Sequence, residues 1–124
     1  MNILFVADPL ETFKIYKDST FAMMRSAQAR GHRISACEPK DIHWISGEKV
    51  TARVRDIELT GDEDNWFDET QSRRAELAGF GAIIMRKDPP FESEYFYSTH
   101  MLGQAEREGA KVFNDDVIRT TETA

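Results

Sequence analysis

The chain has 124 residues, 16 of them basic and 22 acidic, for a formal net charge of −6. That length suits one domain rather than two, and a net-acidic surface argues against non-specific nucleic-acid binding, which needs clustered cations. About 40% of the residues are apolar, enough for a true core. No apolar run approaches the ~18 residues of a membrane span, and no basic leader precedes the first apolar stretch, so neither a membrane nor secretion is expected. Cys37 is the only cysteine. Beside Ile34 and Ala36 it reads as a small buried hydrophobe rather than a reactive thiol, and a chain without a disulfide suits a reducing cytoplasm.

Residues 3–7 form a continuous apolar run stopped by Asp8-Pro9. This predicts a strand buried on both faces of a parallel sheet. Residues 8–17 read as a loop. Asp18-Ser19-Thr20 supplies good N-cap types before a helix with Phe21, Met24 and Ala27 at three-residue spacing and Gly31 as its stop. Residues 32–37 predict a second strand, and the β-α-β order implies a parallel, right-handed crossover.

Residues 42–45, a turn at Ser46-Gly47-Glu48, and residues 49–59 predict a hairpin, expected to be an excursion from the main sheet. Val50, Ala52 and Val54 alternate there with Thr51, Arg53 and Arg55, which gives one wet face and makes the two arginines a solvated edge. Residues 61–74 are acidic and weakly periodic. They predict a loop pinned by Trp66-Phe67, with Asp62-Glu63-Asp64 solvated.

Residues 82–85 predict a third buried strand, ended abruptly by Arg86-Lys87-Asp88-Pro89-Pro90. A long helix over 93–108 places Tyr97, Met101, Leu102 and Ala105 on one face and stops at Gly109. Val112-Phe113 predicts a fourth strand, and the polar residues from 115 onward are expected to fray. The fold class expected is α/β: a mainly parallel, Rossmann-like sheet with helices on both faces and an extra β-hairpin.

In such sheets ligands sit beyond the carboxyl ends of the strands. The loops there carry the candidate chemistry. Arg86 and Lys87 follow a buried strand, and two prolines stiffen the exit, so this end is suited to holding a carboxylate or phosphate. Pairing of Arg86 with Asp88, which would only brace the loop, fits the spacing as well. Asp18, Ser19 and Thr20 open a helix whose free N–H groups attract anions, with Lys17 alongside; an ordinary N-cap is the plainer alternative. Asp8 could receive a substrate amine or simply end its strand. His32, His43 and His100 lack metal-site spacing, no serine sits in a nucleophile elbow, and neither a phosphate loop nor a dinucleotide fingerprint is present.

Three strings agree in order and spacing: Val6-Ala7-Asp8-Pro9, Lys17 through Met23, and Met85-Arg86-Lys87-Asp88-Pro89-Pro90-Phe91. Together with Trp44-Ile45-Ser46-Gly47-Glu48 and Asn65-Trp66-Phe67 they resemble the N-terminal, pre-ATP-grasp domain of prokaryotic glutathione synthetase. The resemblance runs to about Asn114, and the string from Met85 to Phe91 is its most specific part.

The resemblance implies an ATP-grasp carboxylate–amine ligase that joins γ-glutamylcysteine to glycine by way of an acyl phosphate, with ATP and Mg²⁺ as the parent enzyme's cofactors. Residues 1–119 would be its substrate-binding N-terminal domain. Asp18, Ser19, Thr20, Arg86, Lys87 and Asp88 would hold substrate, and no catalytic or metal-binding residue is expected in this chain. The final residues depart from the family. Arg119 matches, residues 120–124 do not, and the ATP-grasp half is expected to be missing, leaving a chain that binds no cofactor and is inactive alone.

A stand-alone binding or regulatory module of the same fold is the alternative. A phospho-accepting receiver domain fits poorly, because one acid follows the first strand and a basic pair follows the third. A homo-oligomer is expected, through the long helix or the hairpin, with Phe91, Tyr95, Val117 and Ile118 near the surface that would be covered.

Overall fold

The computed structural model describes residues 1–15, 19–86 and 93–113, without the side chains of residues 93–96 and 98. In chain order its elements are β1 (Asn2–Ala7), α1 (Ser19–Ala29), β2 (Arg33–Cys37), β3 (Ile42–His43), β4 (Thr51–Leu59), β5 (Phe67–Glu76), β6 (Ala82–Arg86), α2 (Ser93–Arg107) and β7 (Val112–Phe113). Short 3-10 turns cover Leu10–Thr12, Pro39–Asp41 and Leu77–Gly79.

The seven strands form one mixed sheet in the order β3-β4-β2-β1-β6-β7, with β5 on the remaining side of β4. β2, β1, β6 and β7 run parallel to one another. β4 joins antiparallel to β2, and β3 and β5 each join antiparallel to β4.

β1 is a continuous apolar run because it lies between β2 and β6 with apolar packing for both sets of its side chains. Ile3 and Phe5 share one cluster with Met24 and Ala27 of α1; Leu4 and Val6 share another with Leu102 and Ala105 of α2. Both helices end as their glycines predict. Gly31 (φ 85°) and Gly109 (φ 109°) take the left-handed conformation. The following N–H groups of His32 and Ala110 then reach back to the carbonyls of Ala27 and Ala105.

Three expectations change. Residues 67–74, read as part of a loop, belong to the ten-residue strand β5 (Phe67–Glu76). All its residues are exposed or half-buried, so it has no buried face to set a period of two, and pairing with β4 alone makes it a strand. Residues 42–59 are no excursion. β4 is hydrogen-bonded into the main sheet through Ile34–Ala36 of β2, and β3 contributes only two residues. On α2, Leu102 and Ala105 are buried, but Tyr97 is 70% exposed, at the margin of the helix's inward stripe. The expected fraying beyond residue 115 and the proposed cover residues Phe91, Val117 and Ile118 lie outside the described residues, as does the side chain of Tyr95.

Candidate functional site at the carboxyl ends of the parallel strands

Ala7 and Arg86 are paired at the ends of β1 and β6, so Asp8 leaves the sheet beside Arg86. α1 starts nearby, because the chain leaving β1 must turn back over the sheet before β2. Arg86 therefore meets residues 66 and 67 positions earlier. Its Nε donates to Thr20 Oγ1 at 3.4 Å, and an Nη donates to Ser19 Oγ at 2.5 Å. Thr20 is buried, whereas Ser19 is exposed and Arg86 half-buried.

This corner combines a guanidinium, two hydroxyls and the first turn of an eleven-residue helix. Chemically it suits an anion: the guanidinium brings fixed positive charge, and the helix start brings N–H groups and partial positive charge. Of the six residues proposed from sequence, the structure brings Ser19, Thr20 and Arg86 together. Asp18, Lys87 and Asp88 lie outside the described residues.

A second group of residues adjoins this corner, and sequence reasoning missed it. Arg55 of β4 was read as part of a solvated edge. Instead its Nη2 lies 2.8 Å from Glu11 Oε2 and its Nη1 3.3 Å from Glu11 Oε1, while its Nε donates to Glu69. The Phe67 ring lies 5.2 Å from the guanidinium carbon. The hydrogen bond from Arg55 outweighs burial and holds the Glu11 carboxyl below the usual glutamate range. Glu11 is 44 positions from Arg55, so no local spacing could reveal the pair.

A bulge makes the cluster possible. Asp56 pairs with Gln71, but Ile57 pairs with Glu69, which leaves Thr70 as the extra residue. In a regular ladder Thr70 would oppose Ile57 and Glu69 would oppose Glu58, pointing to the other face, away from Arg55.

On the opposite face of β4, Asp56 accepts from Ser35 Oγ at 2.5 Å and from Arg73 Nε at 2.8 Å. Burial raises the Asp56 carboxyl, but the bonds from Arg73 and Ser35, helped by the charges of Arg73 and Arg33, outweigh it and leave the group below the usual aspartate range. Cys37 is buried, and its thiol is pushed upward by burial first and by the charges of Asp41 and Glu38 second. Burial and nearby carboxylates thus favour the thiol over the thiolate.

Cavity size alone points elsewhere. The larger space, about 750 Å³, lies at the amino-terminal edge of the parallel strands and is lined by Asn2, Arg33, Ser35, Asp56, Glu58 and Arg73 among others. The cleft at the carboxyl edge, between Asp8, Leu10, Cys37 and Arg55, holds only about 20 Å³, room for roughly one water. Arg86 also stands at the carboxyl edge, paired with Ala7, and open parallel sheets bind ligands at that edge. Among the described residues no group of three or more His, Cys, Asp or Glu side chains could hold a metal ion. No described helix is long and apolar enough to cross a membrane.

Sheet, helices and strand-end corner together describe a mixed α/β domain in which one guanidinium meets two hydroxyls at a strand end. Residues 1–118 match the model of the prokaryotic glutathione synthetase N-terminal domain, and the chain belongs to that family. It is 54% identical over 114 residues to the glutathione synthetase of Ralstonia nicotianae, covering 92% of this chain and 35% of that protein. It is 47% identical over 119 residues to the glutathione synthetase of Bordetella pertussis, and 43% identical over 124 residues to that of Neisseria meningitidis serogroup B. Each match covers 92% of this chain and 37% of the relative. The chain thus spans about a third of the length of the curated relatives it matches.

Proposed function

We propose that residues 1–119 form the Rossmann-like, pre-ATP-grasp domain that holds γ-glutamylcysteine in a ligase joining that dipeptide to glycine. One observation carries the reading: Arg86 at the end of β6 is hydrogen-bonded to Ser19 and Thr20 at the start of α1. In this reading helices cover both faces of the sheet, supported by the separate apolar clusters that α1 and α2 join. The β3–β4 pairing is the family's hairpin.

The corner holds a substrate carboxylate. Arg86 supplies charge-assisted hydrogen bonds, each worth roughly 1.5–3 kcal/mol. Ser19 and Thr20 orient the guanidinium, and Asp18, Lys87 and Asp88 are assigned to the same substrate. ATP and Mg²⁺, the cofactors of the whole ligase, do not fit the described residues, which offer neither a glycine-rich phosphate cradle nor a carboxylate cluster. Their chemistry belongs to the remaining two-thirds of a protein of the relatives' length. That protein is a cytoplasmic homo-oligomer in this reading, and the present chain binds without catalysing.

The experiment is direct. The purified chain is mixed with γ-glutamylcysteine, glycine, ATP and Mg²⁺, and ADP release is followed. Release at background is expected; turnover by this chain would overturn the division of labour.

A further inference from the structure

The β4–β5 ribbon reaches the carboxyl edge, where Arg55 lines the small cleft. Arg55 grips Glu11 through two nitrogens and Glu69 through a third. Trp66, immediately before β5, stacks on Phe13 with ring centres 5.3 Å apart and planes within 12°. It meets Phe21 edge-on at 5.4 Å. Glu11 and Phe13 lie in the segment leaving β1, and Phe21 is in the first turn of α1, next to Ser19 and Thr20. The ribbon therefore anchors the chain both before and after residues 16–18, and the Thr70 bulge puts Glu69 on the same face of the ribbon as Arg55.

We propose that Arg55 is a positioning residue: it clamps the β1–α1 segment to the ribbon and so sets where Ser19 and Thr20 stand relative to Arg86. The ligand named for that corner rests on the function proposed above, whereas the clamp itself is tested without ligand. A fork of two parallel N–H donors on one carboxylate fixes orientation as well as distance, which an ammonium cannot reproduce. A charge that only decorated a solvated edge would leave the far end of the segment unaffected.

Amide hydrogen exchange and Trp66 emission are measured in a Trp44→Phe background for Arg55→Met, Arg55→Lys and Glu11→Gln, with Arg73→Met as a control of the same charge change on the opposite face. Loss of the clamp raises exchange over residues 10–13 and 19–21 about tenfold or more and shifts Trp66 emission to the red, with Arg55→Lys intermediate. Arg73→Met leaves both unchanged. Glu11→Gln keeps the Arg55–Glu69 pair and frees only the segment, so it decides the matter if Arg55→Met fails to fold. Parent-like exchange at residues 19–21 in both Arg55→Met and Glu11→Gln overturns the proposal.

Calorimetry with γ-glutamylcysteine separates the two claims. Weakening of about tenfold by Arg55→Met alongside loss of binding by Arg86→Ala supports both. Weakening by Arg86→Ala alone overturns the positioning role. If neither substitution alters affinity while exchange still rises in the clamp variants, the clamp stands and the ligand assignment falls.

Discussion

Two neighbouring residues on β4, Arg55 and Asp56, each centre a charged cluster, and the two clusters face opposite sides of the sheet. Their chemistry is alike: each pairs an arginine with carboxylate, and the two arginine side chains are equally exposed at 32%. Their reach differs. Asp56 joins Ser35 and Arg73, all on strands already paired in the sheet, so it reinforces contacts that backbone hydrogen bonds define anyway. Arg55 joins β4 and β5 to Glu11, in a segment with no ladder of its own. The same interaction is structural in one place and positional in the other, and what decides is whether a partner is otherwise free to move.

The largest expected effect lies at the corner that the Arg55 cluster serves. Arg86→Ala should weaken γ-glutamylcysteine binding by about 10–150-fold, the loss of one charge-assisted contact to a carboxylate. Arg86→Lys should recover only part of it, because an ammonium lacks the fork. Calorimetric titration reads both, and unchanged affinity in the alanine variant would leave Arg86 a bracing residue. Next in size is the tenfold weakening expected of Arg55→Met.

Arg73→Met sharpens the contrast from the other side. It should lower stability by about 1 kcal/mol, a modest figure because the Arg73–Asp56 pair is partly solvent-screened, and leave dipeptide affinity intact. Thermal melts and the same titration check it; a large affinity loss would erase the distinction between the clusters.

The smallest effect is in acid. Asp56 and Glu11 both titrate below their ordinary values in the folded chain. Depressed carboxyls contribute stability above their unfolded values, near 3.9 and 4.3, and lose it as pH falls through the lower folded values. Melting temperature should therefore fall as pH drops below about 4, and less steeply in Asp56→Asn. An equal slope in that variant would mean other carboxyls govern acid unfolding.

What the sequence revealed follows burial. β1, α1, β2, β6 and β7 were legible because their apolar residues are packed and their ends carry Asp-Pro, glycine or cap signals. β5 was hidden because an edge strand paired on one side needs no apolar face. Arg86 and Ser19 each looked suited to anions from local chemistry, yet their contact depends on the pairing of β1 with β6 and on the return path of α1. Arg55 was misread because alternation placed it on a wet face. Only the bulge and a partner from a distant segment turn that position into a clamp.

The central claim is that the carboxyl edge, with its small cleft, is the substrate-binding edge, rather than the amino edge with its larger cavity. Backbone amide shifts of the isotopically labelled chain, followed while γ-glutamylcysteine is added, test it most directly. The largest shifts are expected at Ala7, Asp8, Ser19, Thr20 and Arg86. Shifts concentrated instead at Asn2, Arg33, Asp56 and Glu58, around the 750 Å³ cavity, would contradict it.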